Sequence, residues 1–143
     1  YGAGHATVAG ACVTVLKAFF DTSAVLADLG GQIGFYTDRQ IAASGAKPKF
    51  VKVVTDNNGD DLKAIEIECP LTLEGELNKL CANISIGRNM AGVHYFTDYY
   101  DSVRMGEEIA IGMLEEQALG YPTDPFVMSV PTLDGEVRRI GTR

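Results

Sequence analysis

The stretch Gly87-Arg88-Asn89-Met90-Ala91-Gly92-Val93-His94-Tyr95-Phe96-Thr97-Asp98 carries one of only two histidines in a chain of 143 residues. His94 follows Arg88 by six positions and precedes Asp98 by four. An arginine can make bidentate, charge-assisted contacts with phosphate-like oxygens. A neutral imidazole nitrogen can bond to the central atom of such an oxyanion, provided its other nitrogen is tied to an acceptor that fixes tautomer and direction. Asp98, one helical turn beyond His94, can supply that acceptor, with backbone carbonyls as the competing partners. Taken alone, the stretch also reads as a surface ion pair near a helix start.

Working outward, residues 72–89 keep a helical period, with Leu73, Leu77, Leu80, Ile84 and Ile86 on the apolar side. Thr72-Leu73-Glu74-Gly75 has the spacing of a helix start, and Gly87 and Gly92 predict a turn after the helix. A second long helix is predicted from about Thr97 to Leu119, with Met105, Ile109, Gly112 and Met113 on its apolar side. Gly120-Tyr121-Pro122 stops it, and residues 126–140 read as a small hairpin around Leu133-Asp134-Gly135.

At the other end, Tyr1-Gly2-Ala3-Gly4 is a glycine-rich turn that runs into His5–Phe20. This segment is apolar nearly all round, with Lys17 its one formal charge besides His5, and predicts a helix buried on several sides. Asp21-Thr22-Ser23 ends it, 24–29 reads as a short turn, Gly30-Gly31 as a break and Gln32–Ala46 as loop. Lys49–Thr55 and Leu62–Cys69 predict a β-hairpin across Asp56-Asn57-Asn58-Gly59-Asp60-Asp61. The acidic tip raises calcium as a ligand but lacks the full spacing of a helix–loop–helix calcium site, so a solvated turn is preferred. The expected architecture is mainly α: a helical bundle with an inserted β-hairpin, about residues 22–70, and a C-terminal hairpin. No internal domain boundary is marked.

Composition narrows the function. With 46% hydrophobic and 22% charged residues the chain is globular. A net charge of -7 argues against nucleic acid or an anionic membrane as partner, so an anion site must be built locally. No run reaches the roughly 18 consecutive apolar residues of a membrane span. Cys12, Cys69 and Cys81 lack paired spacing; Cys12 and Cys81 fall in apolar helical patterns and read as buried free thiols. The chain begins in a motif without an initiator methionine, which suggests that its natural N-terminus lies further upstream and leaves localisation unread.

The first four residues can supply the other half of an anion site. A Gly-x-Gly turn entering a helix exposes backbone N–H groups at the positive end of the helix dipole. His5 there can give or take a proton beside a bound anion. Gly2-x-Gly4-x-x-Thr7 half-resembles a dinucleotide fingerprint, but the third small residue and a preceding strand are missing. By itself the segment also reads as a structural turn with an incidental histidine.

Together, Gly4-His5 and Arg88-x5-His94-x3-Asp98 resemble the C-terminal part of the superfamily that joins vanadium-dependent haloperoxidases to acid and lipid phosphatases. The longer strings Tyr1–Asp21, Gly75–Leu80 and Ile86–Tyr95 are similar to its vanadium bromoperoxidase branch of algae and cyanobacteria. The resemblance implies a helical bundle around vanadate bound as a phosphate mimic. His94 would be the axial vanadium ligand, Arg88 and the Gly4 N–H would hold vanadate oxygens, and His5 would be the acid/base group. Vanadate would act as a Lewis acid that activates hydrogen peroxide, so that bromide is oxidised to a hypobromous-acid-like species for an organic halogen acceptor. A homo-oligomer is implied, and a secreted, cell-wall or periplasmic setting fits the family. Phosphatase relatives would instead use the equivalent of His94 as a phosphoryl nucleophile. A degenerate, non-catalytic module is a further reading.

Two departures bear on this. The family's serine before Gly-His is Ala3 here, which removes one hydroxyl donor to the oxyanion. The family's upstream Lys-x6-Arg element is not in this sequence. The expectation is therefore the C-terminal piece of a longer enzyme, which alone binds vanadate poorly and turns over little.

Overall fold

The computed structural model describes residues 2–26, 51–56, 58–67 and 69–141. Within these lie α1 (Gly4–Phe19), β1 (Val51–Thr55), β2 (Leu62–Glu66), α2 (Leu73–Met90), α3 (Phe96–Leu119), β3 (Met128–Pro131) and β4 (Val137–Ile140). The mainly-α expectation with two small antiparallel hairpins holds. The expected break at Gly30-Gly31, the loop at Gln32–Ala46 and the first residues of the predicted hairpin lie outside the described residues. Two compact units result, Tyr1–Thr22 with Glu74–Arg143, and Ser23–Leu73.

In the second unit, β1 and β2 pair antiparallel with Val51 opposite Glu66 and Thr55 opposite Leu62. The turn is closed by Asp56, whose Oδ1 accepts the N–H groups of Asn58 and Asp60, each at 3.1 Å. Gly59 takes the left-handed conformation the turn requires (φ 77°). The Asp61 carboxylate accepts its neighbour Leu62 N–H at 2.9 Å. The carboxylates of Asp56 and Asp61 are thus spent on the backbone of the tip itself. Among the described residues no three His, Cys, Asp or Glu side chains converge as a metal-binding group, and calcium finds no support.

The first unit is organised by α1 against α3. The two helices run in the same direction: Ala3 at the start of α1 meets Ser102, and Ala18 near its end packs on the cluster that contains Ile111 and Leu114. Their backbones come very close. A Cβ at Gly10 would lie 2.1 Å from the Val103 carbonyl oxygen, and one at Gly106 would lie 2.0 Å from that of Thr7. The small residues Ala6, Gly10 and Thr14 on α1, and Ser102, Gly106 and Ala110 on α3, recur every fourth position and are buried. Such rows let two helix surfaces interlock.

This geometry corrects the predicted faces. The large apolar residues placed inside on α3 lie at the surface, with Met113 65% exposed. The buried stripe is Ser102, Val103, Gly106, Glu107, Ala110, Ile111 and Leu114. On α2 the buried residues are Leu77, Cys81 and Ser85, while Leu80, Ile84 and Ile86 are exposed. α1 is not enclosed on several sides, since Val8 and Phe19 are both exposed. Close backbone approach selects small residues for the contact, which turns the bulky ones outward. Cys81 is buried as expected, but Cys12 is exposed; all three cysteines are free thiols.

The C-terminal hairpin closes the end of this pair. Val130 and Ile140 are fully buried with Ile111 and Leu114. Lys17, buried despite its charge, donates from Nζ to the Pro131 carbonyl at 3.1 Å. The buried Glu107 carboxylate accepts the Leu133 N–H at 2.7 Å. Burial lowers the Lys17 pKa and raises that of Glu107, with each charge partly offsetting the other's shift. Outside, Arg104 pairs with Asp134 and stacks over the Tyr100 ring.

Candidate oxyanion site

The turn between α2 and α3 carries the ligand side. The helix expected to run to about Asn89 ends at Met90, and the chain reverses at Gly92, in the turn expected after it. Gly92 is left-handed (φ 72°). Its N–H bonds the Asn89 carbonyl at 2.9 Å, and the Val93 N–H bonds the Arg88 carbonyl at 3.2 Å. This paired cap satisfies the last carbonyls of α2 and fixes the exit of the chain. Arg88 and His94 are therefore joined through a defined turn.

His94 stands just before α3, which begins one residue earlier than predicted. Asp98, in the first turn, accepts the Tyr95 N–H at 3.0 Å and faces His94 Nδ1 at 3.3 Å through the same oxygen, Oδ2. The Tyr95 N–H, with help from His94, holds the Asp98 carboxyl below its usual range. An ionised Asp98 wants a proton on Nδ1, which leaves Nε2 of His94 as the nitrogen with a free lone pair.

Arg88 is half-buried, and its Nε is a buried donor without a hydrogen-bond partner among the described residues. Such donors are few in folded proteins and call for an acceptor. Asn89 Oδ1, next in sequence, is likewise buried and unpartnered.

The start of α1 carries the other side. Gly4 is the first helical residue, so its N–H has no acceptor within the helix. No acidic residue lies in the first turn of α1 to offset the positive end of its dipole. A Cβ on Gly4 would meet nothing within 4 Å, so the backbone is open to approach. His5 is exposed, and Gly4, His5, Val8, Ala9 and Cys12 of α1 with Ile84 of α2 line a groove of about 550 Å³. Arg88 lies one helical turn beyond Ile84 on the same face of α2. Ala3, fully buried, donates its N–H to Ser102 Oγ at 2.7 Å, and Ser102 lies one turn beyond Asp98. Asp98 and Ser102 thus lie on one stripe of α3 that leads from the partner of His94 to the residue preceding Gly4-His5. The orphaned Arg88 donor, the open Gly4 N–H and the Asp98-paired His94 are groups of the kind that can hold an oxyanion.

The residues that bring the halves together, Ser102, Gly10 and Gly106, were missed in the sequence. Their only signal is the four-residue spacing of small side chains on both helices.

No family model matches the chain. It is 44% identical over 140 residues, 98% of its length, to the vanadium-dependent bromoperoxidases of Corallina officinalis and Corallina pilulifera. It is 35% identical over 121 residues, 85% of its length, to the vanadium-dependent bromoperoxidase of Ascophyllum nodosum. The matched region is 19% of each Corallina protein and 18% of the Ascophyllum one, so the chain spans about a fifth of the length of these relatives. The resemblance to vanadium bromoperoxidases read from the sequence therefore extends over almost the whole chain.

Among the described residues no helix is long and apolar enough to cross a membrane.

Proposed function

We propose that this chain forms part of a vanadate-dependent haloperoxidase that oxidises bromide with hydrogen peroxide. The observation that carries this reading is the buried, unpartnered Arg88 Nε, on a helix whose cap leads directly to a His94 oriented by Asp98. The relatives' shared name supplies the metal and the halide.

In this reading Arg88 and the Gly4 N–H, aided by the α1 dipole, would hold the vanadate oxygens. His94 would be the residue that holds the vanadium, through Nε2, with Asp98 holding its Nδ1 proton. His5, on the open groove side, exchanges the proton that the reaction consumes. Vanadate, when bound, supplies Lewis acidity that makes peroxide electrophilic toward bromide. Overall, peroxide, bromide and one proton give hypobromous acid and water; bromide loses the two electrons that peroxide gains. An organic halogen acceptor then takes the oxidised bromine.

The same reading treats residues 1–143 as one portion of a larger helical haloperoxidase domain, with about 22–70 an insertion, assembled as a homo-oligomer. It is tested with the whole protein that contains this chain, supplied with vanadate, peroxide and bromide. Bromination of a phenolic dye that depends on all three supports it. Phosphate-ester hydrolysis without vanadium, and no bromination with it, would favour the phosphatase chemistry of His94.

A further inference from the structure

We infer that Ser102 is a positioning residue of the oxyanion site: its hydroxyl sets the Gly4 N–H and His5 relative to His94. The inference rests on the vanadate-site reading above. Ala3 has no side chain with which to cap α1, and no side-chain cap is present. Its backbone is instead pinned on both sides. The N–H donates to Ser102 Oγ at 2.7 Å, and the carbonyl accepts the Thr7 N–H at 3.0 Å and the Thr7 hydroxyl at 3.3 Å. Ser102 is 3% exposed and Ala3 is 0% exposed, so water cannot replace their bond.

The placement gives this bond its consequence. It joins the residue directly before Gly4-His5 to the stripe that carries Asp98 and His94. The glycine contacts at Gly10 and Gly106 fix how near α1 and α3 lie, but they are backbone approaches further along the helices. Ser102 supplies the polar link at the end where the proposed ligands lie. It accepts through Oγ and keeps its own proton to donate.

The test titrates the whole protein that contains this chain with orthovanadate and follows the Gly4 amide and the His94 ring by NMR, alongside thermal melting. Ser102→Ala removes only the hydroxyl. Thr14→Ala removes another buried hydroxyl of the same interface, one bonded to the Gly10 carbonyl at 2.8 Å and three turns from the site. The expected result is a Ser102→Ala midpoint for vanadate about three- to tenfold higher, the worth of one lost hydrogen bond. Thr14→Ala should melt lower yet keep the wild-type midpoint. Equal midpoints for Ser102→Ala and wild type would overturn the positioning role while leaving the vanadate reading in place. A midpoint raised equally by Thr14→Ala would also overturn it, because general loosening would then explain the effect. If wild type shows no response at Gly4 or His94, the vanadate reading itself fails and this inference with it.

Discussion

Substitution of Gly106 by alanine should do more damage than any other single methyl group added to α3. The new Cβ would lie 2.0 Å from the Thr7 carbonyl oxygen and 2.9 Å from the Ala11 nitrogen. Both neighbours are backbone, so no side chain can swing aside. A carbon and a carbonyl oxygen rest at roughly 3.3 Å or more, so α1 and α3 must part by about 1 Å. Overpacking of this kind costs about 1–3 kcal/mol, and the added separation also loosens Ile111, Leu114, Val130 and Ile140. At about 2–4 °C per kcal/mol for a domain near this size, the melting temperature should fall by about 2–12 °C. Gly112→Ala is the control: it lies on the exposed side of the same helix, and its Cβ would meet nothing within 4 Å. That change should raise stability by up to about 1 kcal/mol through helix propensity alone. The assay is thermal and urea unfolding of both variants, followed by circular dichroism. Should Gly106→Ala melt at or above wild type, the close α1–α3 approach and the placement of the site built on it would both be wrong.

Further outcomes follow from the same structure. Ala3→Ser should cap α1 and stabilise the fold by about 0.5–2 kcal/mol, and it should tighten vanadate binding through its hydroxyl; equal melting and equal binding would sink this account of the position. Glu107 has a folded pKa raised by burial, so its proton is retained longer in the folded than in the unfolded chain. Its contribution to stability is therefore present at low pH and is lost as pH rises from about the unfolded carboxylate value through the folded one. Urea unfolding across that range should show the loss in wild type and not in Glu107→Gln. Asp98 has a lowered pKa, chiefly from the Tyr95 N–H, so its contribution is present above the unfolded value and is lost as pH falls through the folded one. Asp98→Asn should flatten that acid limb and weaken the vanadate response of His94. Arg104→Ala, removing an exposed pair with Asp134, should change stability by no more than about 1 kcal/mol.

Much of this fold can be read from spacing. Residues 72–89 and 97–119 keep a helical period, and Leu133-Asp134-Gly135 turns a hairpin that the structure closes with Gly135 at φ 83°. The helical faces were read less well, because periodicity finds bulky apolar side chains. Here Gly10 and Gly106 make the contact, and Met105, Ile109 and Met113 turn outward. Lys17 and Glu107 were unreadable as buried groups, since only the tertiary fold brings the Pro131 carbonyl and the Leu133 N–H to them. At the candidate site, the pairing of His94 with Asp98 followed from one-turn spacing. The unpartnered Arg88 Nε did not, because burial without a partner is a property of the packed structure. Ser102 was invisible for a similar reason: its partner Ala3 lies ninety-nine residues away.

Arg88 and His94 are proposed to hold one oxyanion between them. Vanadium NMR of the whole protein that contains this chain, in millimolar orthovanadate, measures this directly, with inorganic phosphate as competitor. A bound signal that phosphate displaces, that His94→Ala abolishes and that Arg88→Ala weakens is the predicted result. A bound signal of undiminished intensity in His94→Ala would contradict it.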